Sequence, residues 1–444
     1  MPTPSLTIGT SWGGTPAAYQ TPHPVRSRLE SLPRPPNQNG MLPYGWGRSY
    51  GDCCLNEDGL LLDTRALDHW IHFDRHTGIV RCEAGLSLDA ILSEVVPAGW
   101  FLPVSPGTRY VTIGGAVAND VHGKDHHLRG TFGCHVRCLE LLRSDGGRLF
   151  CSPEAEADMF NATIGGLGLT GLITWVEIQL IPMASPHVDV ERIRYDTLSD
   201  FFSLSEESEA SHEFTVAWID GMASGNDVGR GVFMRGNFAP ALGDRPPVNL
   251  KGPRRGIPFH APGFALNRWT VSAFNAIMYR KAGDSPKRQT EPYVGFFYPL
   301  DGIDNWNRMY GKRGFFQHQC VLPPDNAEQA LAELLNTAAK SAQASFLAVL
   351  KRFGDIPSPG LLSFPRPGYT LALDFPNRGQ ETLELLDDMD RIVFEAGGAL
   401  YPAKDARMKP EHFAASFPNH SSFIPHIDPA FSSSFWRRVS PSPA

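Results

Sequence analysis

Cysteine is scarce in this chain and never paired at metal-binding spacing. The seven cysteines are Cys53, Cys54, Cys82, Cys134, Cys138, Cys151 and Cys320. Their number is odd and no CxxC occurs. Cys134 and Cys138 have no second ligand pair nearby, so no zinc site or other metal centre is expected. Reduced, partly buried thiols in a reducing compartment are the simpler reading. No apolar run reaches the roughly 18 residues of a membrane span. The N-terminus lacks a charged segment followed by an apolar core, so no signal peptide is expected either. Positive charge is not in excess: the formal net charge is −7, which argues against nucleic acid as a partner. Heptads, internal repeats and low-complexity tracts are also missing.

What is present is length and turn residues. At 444 residues the chain exceeds one ordinary core, so two domains or a large composite is expected. With 43 glycines and 38 prolines, turns and β structure are favoured over a helical bundle.

The organising stretch is PGTRYVTIGGAVANDVHGKDHH, residues 106–127. Its glycines permit close approach of the backbone to a ligand, with several N–H groups aimed at one anion. It ends in His122, Lys124, Asp125, His126 and His127. Two readings stand on the residues alone: an anion cradle ending at a reacting centre, or a glycine-rich turn beside a surface histidine cluster.

Around this stretch the pattern predicts a short helix over 25–32, a strand over 60–63 and hairpins joining 71–73 to 79–83 and 136–143 to 148–151. Ser87 is positioned to cap a helix to residue 95. Ser152 and Pro153 are read as opening a helix to about 163. Next comes GGLGLTG, 165–171, with G-x-G-x-x-G at Gly166, Gly168 and Gly171. A Rossmann fingerprint follows a strand and opens a helix. Here a helix precedes and a strand, 172–181, follows. The Rossmann reading fails, and a tight helix-to-strand turn is expected.

A boundary is expected near 182–186. Beyond it come a helix at 197–208, strands at 213–220 and 229–235, a helix at 265–280 and a strand at 315–322. A helix at 324–339, strands at 344–353 and 369–375 and helices at 381–396 and 410–417 complete the order. It suggests an α+β fold with an antiparallel sheet and helices on one face. The proline-rich segment 239–263 carries Arg245, Lys251, Arg254 and Arg255. It reads as a solvated loop, a lid or a contact for an anionic lipid surface.

Three stretches together carry a resemblance: GWGRSYGD (45–52), the 106–127 stretch and TIGGLGLTGLI (163–173). They resemble the FAD-binding domain of the vanillyl-alcohol oxidase/p-cresol methylhydroxylase (PCMH) superfamily. SYGD, HGKDHH and the tail YPAKDAR (401–407), with FFQHQCVLP, LKRFG and GYTLALDFP, are similar to the decaprenylphosphoryl-β-D-ribose 2′-oxidase family. The resemblance implies a PCMH-type FAD-binding domain over 1–183, a substrate domain over 184–398 and a tail, 399–444, returning to the flavin. It implies cofactor contacts from Arg48, Ser49, Tyr50, Gly51, Pro106, Gly107, Thr108, Thr112, Ile113, Gly114, Gly115 and Ala116. Asn119, Asp120, His122, Gly123, Gly168, Gly171, Ile173 and Tyr401 complete that set. Tyr50 stands where many members attach FAD through a histidine, so non-covalent FAD is expected.

The catalytic candidates are Lys404, His122 and Tyr401. A desolvated ammonium beside a flavin stabilises the reduced ring or accepts a proton. Residue by residue, Lys404 could equally be a surface lysine paired with Asp405, and His122 a structural histidine. Gln317, Gln319, Lys351 and Lys404 are the candidate substrate contacts. Some members have a cysteine matching Ala372, which removes that thiol here.

The activity implied is oxidation of the 2′-hydroxyl of a polyprenyl-phosphoryl-β-D-ribose to a ketone. It would be the first half of an epimerisation to arabinose for cell-envelope polysaccharide. An NADH-dependent short-chain reductase would be the functional partner, and quinone or O2 the electron acceptor. The location implied is cytoplasmic or peripheral to the membrane, at the cell envelope. The alternatives are an alditol or aldonolactone oxidase of the same fold, and a non-catalytic flavin-binding subunit.

Overall fold

Leu60, Leu61 and Leu62 are buried in succession, as a strand covered on both faces must be. In the computed structural model, which describes residues 7–241, 255–263, 265–341, 343 and 347–440, their strand Leu60–Asp63 lies inside a four-stranded sheet. It is flanked by Ala17–Pro24 and Met41–Tyr44, both parallel to it, with Thr7–Thr10 at the edge. The helix expected over 25–32 does not form. Val25 instead continues the extended run, its N–H bonded to the Asp63 carbonyl at 2.9 Å and its side chain buried. Long-range pairing overrides the local pattern there, and Pro33, Pro35 and Pro36 deny the segment a helical continuation.

A second sheet of five strands runs in the order Trp70–Asp74, Ile79–Glu83, Leu172–Gln179, Val136–Leu142, Arg148–Cys151. Both expected hairpins are in it. Ser87 caps the helix Leu88–Val95 by accepting from the Ala90 N–H. The helix expected from Ser152 starts only at Ala157. Ser152 Oγ is taken by the Glu154 and Ala155 N–H groups, and Glu156 sits at φ +51°, outside helical space.

From His187 the chain enters an eight-stranded sheet, every neighbouring pair antiparallel. The order is Lys287–Pro292, His187–Tyr195, Gly231–Phe238, Phe214–Ile219, Ala348–Phe353, Gly368–Pro376, Phe315–Leu322, Ala399–Leu400. The helices Leu198–Glu209, Ala327–Lys340 and Gln380–Glu395 cover one face, with Phe201, Leu331, Leu334, Leu386 and Met389 in a shared core. The overall class is therefore α+β as expected. Thr7–Thr10, Ala17–Pro24 and Met41–Tyr44 of the first sheet and the short Ala399–Leu400 of this one escape the sequence pattern, and so do two longer strands here, His187–Tyr195 and Lys287–Pro292. The second is almost wholly exposed and has no apolar alternation to read. Of the basic segment, Arg245, Lys251 and Arg254 lie outside the described residues, and Arg255 is in the short strand Arg255–Gly256.

The C-terminal segment returns to the start of the chain. The Tyr50 N–H bonds to the Ala403 carbonyl at 2.9 Å, and the Met41 N–H to the Ala430 carbonyl at 2.8 Å. Arg438 bridges Asp52 at 2.7 Å and Asp405 at 2.9 Å. Gly51 is essential to this seat: a Cβ there would lie 1.5 Å from the Asp405 carbonyl oxygen.

Candidate active site

Between the N-terminal sheets and the uncovered face of the eight-stranded sheet lies a cavity of about 1220 Å³. That exceeds the usual small-molecule pocket of roughly 300–1,000 Å³. The glycine stretch forms one wall. Thr112 caps the helix Ile113–Ala118, its Oγ1 accepting from the Gly115 N–H. Gly114 packs so closely that a Cβ would sit 2.9 Å from that of Ala84. Several N–H groups of the stretch are already used: Arg109 donates to Asp301 at 3.0 Å, Ile113 to Leu86 and Gly114 to Ala84. Those of Gly47, Ser49, Gly107 and Thr108 meet no protein acceptor among the described residues, and all four residues line the cavity. The unspent donors thus come from two loops, 47–49 and 107–108.

Most residues of the expected cofactor set line this cavity, from Arg48, Ser49 and Tyr50 through Pro106–Thr108 to Gly168, Gly171 and Ile173. Three do not reach it. Gly51 lies under Asp405, and Ile113 is core. Asp120 is fully buried, accepting from the Gly133 N–H and from Ser358 and Ser363 hydroxyls. It pins the loop around 358–363 rather than touching a ligand.

The opposite wall is the sheet. Register pairs Gln317 with Asp374, Gln319 with Ala372 and Lys351 with Thr370. Alternation turns all six away from the helix-covered face. Gln317 donates to Asp374 at 2.6 Å, and the Tyr310 hydroxyl donates to the same carboxylate at 3.2 Å. Burial pushes Asp374 up to about 7.

Lys404 enters from the tail. Its Nζ lies 3.6 Å from the Tyr50 ring centroid and makes no hydrogen bond among the described residues. By surface it is only half-buried, the open part facing the cavity. Desolvation there pushes its pKa down to about 7, opposed by the negative charge of Asp374. The pairing with Asp405 weighed from sequence is not made: Asp405 accepts from Arg438 and from the Arg407 and Met408 N–H groups.

His122 is enclosed by Phe353, Phe364 and Tyr401. Burial holds it well below the usual histidine range, and the Lys351 charge adds to this. Lys351 Nζ lies 3.1 Å from Nδ1. An ammonium donates, so Nδ1 accepts and the ring proton sits on Nε2. Nε2 lies 3.0 Å from the Gln319 amide, a contact satisfied when the amide oxygen faces the ring. Both imidazole nitrogens are thus engaged, which leaves Lys404, among the described residues lining the cavity, as an amine without a hydrogen bond. Tyr401 stacks on Phe364 at 4.6 Å and donates to the Asn119 carbonyl at 3.1 Å.

The surface-cluster alternative for the end of the stretch does not hold. His122, His126 and His127 are all buried. His126 accepts from the Gly354 N–H at 3.1 Å, and His127 bonds the His212 carbonyl at 2.9 Å. Lys124 donates to the Phe296 and Phe297 carbonyls, joining the stretch to the helix Tyr293–Phe297. Burial pushes its pKa down to about 7. The sequence reading missed Asp374 as part of this site. Its one signal was an acid inside the apolar strand ALDFP.

Comparison with known proteins agrees with this geometry. A family model described as an FAD binding domain matches residues 36–152. The decaprenylphosphoryl-beta-D-ribose oxidase of Mycolicibacterium smegmatis is 36% identical over 90% of this chain and 89% of its own. An uncharacterised Streptomyces coelicolor protein is 32% identical over 80% of this chain and all of its own length. L-gulonolactone oxidase of Mus musculus is 29% identical over 39% of each chain.

The cavity fits FAD. Among the described residues nothing lies within 4 Å of where a Gly107 Cβ would be, so the cradle is not packed shut. Its unspent N–H donors suit a pyrophosphate. The buried Asn119 Oδ1 has no donor among the described residues, while its Nδ2 is fixed on the Gly115 carbonyl at 2.9 Å. An acceptor held this way is ready for a ligand N–H or hydroxyl.

Proposed function

The chain belongs to the decaprenylphosphoryl-β-D-ribose oxidase family, and we propose that it oxidises the 2′-hydroxyl of a polyprenyl-phosphoryl-β-D-ribose to the 2′-keto sugar. FAD, when bound, supplies the two-electron acceptor for the carbinol hydride. Loops 47–49 and 107–108 would hold its pyrophosphate, and Asn119 a hydroxyl or ring N–H. The observation carrying the proposal is Lys404: a desolvated amine with no hydrogen bond among the described residues, at the meeting point of the glycine wall and the sheet wall. With its pKa near neutrality it takes the hydroxyl proton and, once protonated, places a positive charge where negative charge develops. His122 stays neutral and orients Lys351 and Gln319. Lys351 and Gln317 are suited to the phosphate and the sugar hydroxyls.

This reading divides the chain into an FAD domain (1–183), a substrate domain (184–398) and a returning tail (399–444). It takes FAD as non-covalent, because the SYGD position holds Tyr50. A reductase using NADH would consume the ketone, completing an epimerisation to arabinose, and quinone or O2 would reoxidise the flavin.

The test is anaerobic mixing of the purified flavoprotein with a polyprenyl-phosphoryl ribose while following the flavin absorbance. Bleaching by this substrate is expected. Bleaching only by a free alditol or aldonolactone would transfer the chain to that activity, and no bleaching by any alcohol would make it a non-catalytic flavoprotein. A flavin-fluorescent band on a denaturing gel would refute non-covalent binding.

A further inference from the structure

The helix Arg268–Ala282 carries several exposed large apolar side chains. Trp269 is 74% exposed and Ile277 65%, with Met278 at 38%. The spacing 269, 273, 277 puts Trp269, Ala273 and Ile277 in one row along the helix, and 270, 274, 278 forms the adjacent row. The helix holds three cations, Arg268, Arg280 and Lys281, and no acidic residue, in a chain of net charge −7. All three cations are exposed. The segment leading into the helix adds Phe259, 71% exposed, and the exposed Arg255.

The second row is continuous with the cavity. Thr270, Phe274 and Met278 line it, together with Leu266 just before the helix. An exposed apolar stripe therefore runs to the cavity mouth and is bordered by positive charge. No described helix is long and apolar enough to cross a membrane. The support for an interfacial position is the exposed Trp269 and Ile277 beside exposed Arg and Lys, side chains suited to the headgroup–acyl boundary.

We propose that Arg268–Ala282 docks on an anionic lipid bilayer, with Trp269 and Ile277 inserted among the acyl chains. Arg268, Arg280 and Lys281 meet the headgroup phosphates. The cavity mouth then opens at the membrane surface, where a lipid-linked substrate can pass in along Phe274 and Met278 without its tail crossing water. The passage of substrate rests on the function proposed above; the docking itself does not.

The experiment uses the full-length flavoprotein and vesicles of phosphatidylcholine with or without phosphatidylglycerol, read by co-sedimentation with no substrate present. Binding to the phosphatidylglycerol vesicles, weakened by salt, is expected. Trp269→Ser/Ile277→Ser is expected to lower partitioning about tenfold or more. Arg280→Glu/Lys281→Glu is expected to abolish the preference for phosphatidylglycerol. Both variants must keep the wild-type flavin spectrum and respond as wild type does, by bleaching or by its absence, to a short-chain, water-soluble substrate. Equal partitioning of wild type and the Trp269/Ile277 variant would overturn the proposal, as would absence of binding. So would a dimer in sedimentation equilibrium that this variant dissolves, because a second copy would then cover the stripe. Flavin bleaching by the soluble substrate reads the proposed activity separately, so either idea can fail alone.

Discussion

The two walls of the cavity do their work with different parts of the chain. On the glycine wall the polar groups offered to the cavity are backbone N–H donors, which carry no formal charge and do not titrate. On the sheet wall they are side chains, Lys351, Gln317, Gln319 and Asp374, joined by Lys404 from the tail. The first wall tolerates change only where space allows. The second is sensitive to charge, because each titratable group there is desolvated. The contrast suits a division in which one wall holds a cofactor and the other does chemistry on a substrate.

The largest expected effect lies on the sheet side. Lys404→Ala should keep bound flavin and lower its reduction by substrate by about 10²–10⁴-fold, the usual worth of a general acid–base group. Stopped-flow bleaching measures it. A rate within a factor of a few of wild type would remove Lys404 from the chemistry.

Two glycines give a sharper contrast, Gly51 beneath the returning tail and Gly107 on the cavity wall. Gly51→Ala forces a Cβ against the Asp405 carbonyl, 1.5 Å away. It should destabilise the fold by about 3 kcal/mol or more, as severe overpacking does, and release the tail. Gly107→Ala meets nothing within 4 Å among the described residues. It should leave the melting temperature of the flavin-free protein unchanged but weaken flavin binding, since the added methyl projects into the cradle. Equal melting temperatures for the two variants would break the comparison.

Lys351→Met should act on binding more than on chemistry. Removing the ammonium beside His122 is expected to raise KM by about 10–100-fold, the worth of one or two charge-assisted hydrogen bonds, with a smaller change in kcat. A kcat loss matching that of Lys404→Ala would instead put Lys351 in the proton transfer.

How much of this was readable in advance follows the same division. The glycine wall was legible in part because its physics is local: the 106–127 stretch and GGLGLTG announce turns and close backbone approach by residue type, while the choice of a cofactor cradle, and the part of GWGRSYGD in it, came from the family resemblance. The helix-covered sheet was legible where apolar periodicity was strong, as at Phe315–Leu322 and Gln380–Glu395. The strand Lys287–Pro292 was not, since an exposed edge leaves no pattern. Nor was the fate of residues 25–32, decided by pairing with a strand some forty residues on. Asp120 read as a cofactor contact because it sits in the stretch, but its left-handed backbone, φ +40°, turns it toward Ser358 and Ser363. Asp374 gave only the signal of an acid in an apolar strand, and its role could not be read without register, because that role comes from Gln317 across the strand pair and from Lys404 in the tail.

That register gives the finest prediction. Asp374 and Lys404 are both drawn to about 7 by burial, and the negative charge of Asp374 raises the pKa of Lys404 against that desolvation. Substrate-driven flavin reduction should therefore rise with pH through about 7 as the amine loses its proton. Asp374→Asn removes the opposing charge, so the Lys404 pKa falls further and the rising limb moves to lower pH. Stability carries a second sign. An acid whose folded pKa is raised to about 7 from 3.8 destabilises the fold progressively as pH rises between those values. The Asn variant lacks this term, so its stability relative to wild type should increase from pH 4 to pH 7. Denaturant titrations across that range, set beside the pH profile of flavin reduction, read both signs. A limb that moves upward in the Asn variant would mean that Asp374 and Lys404 are not coupled through charge.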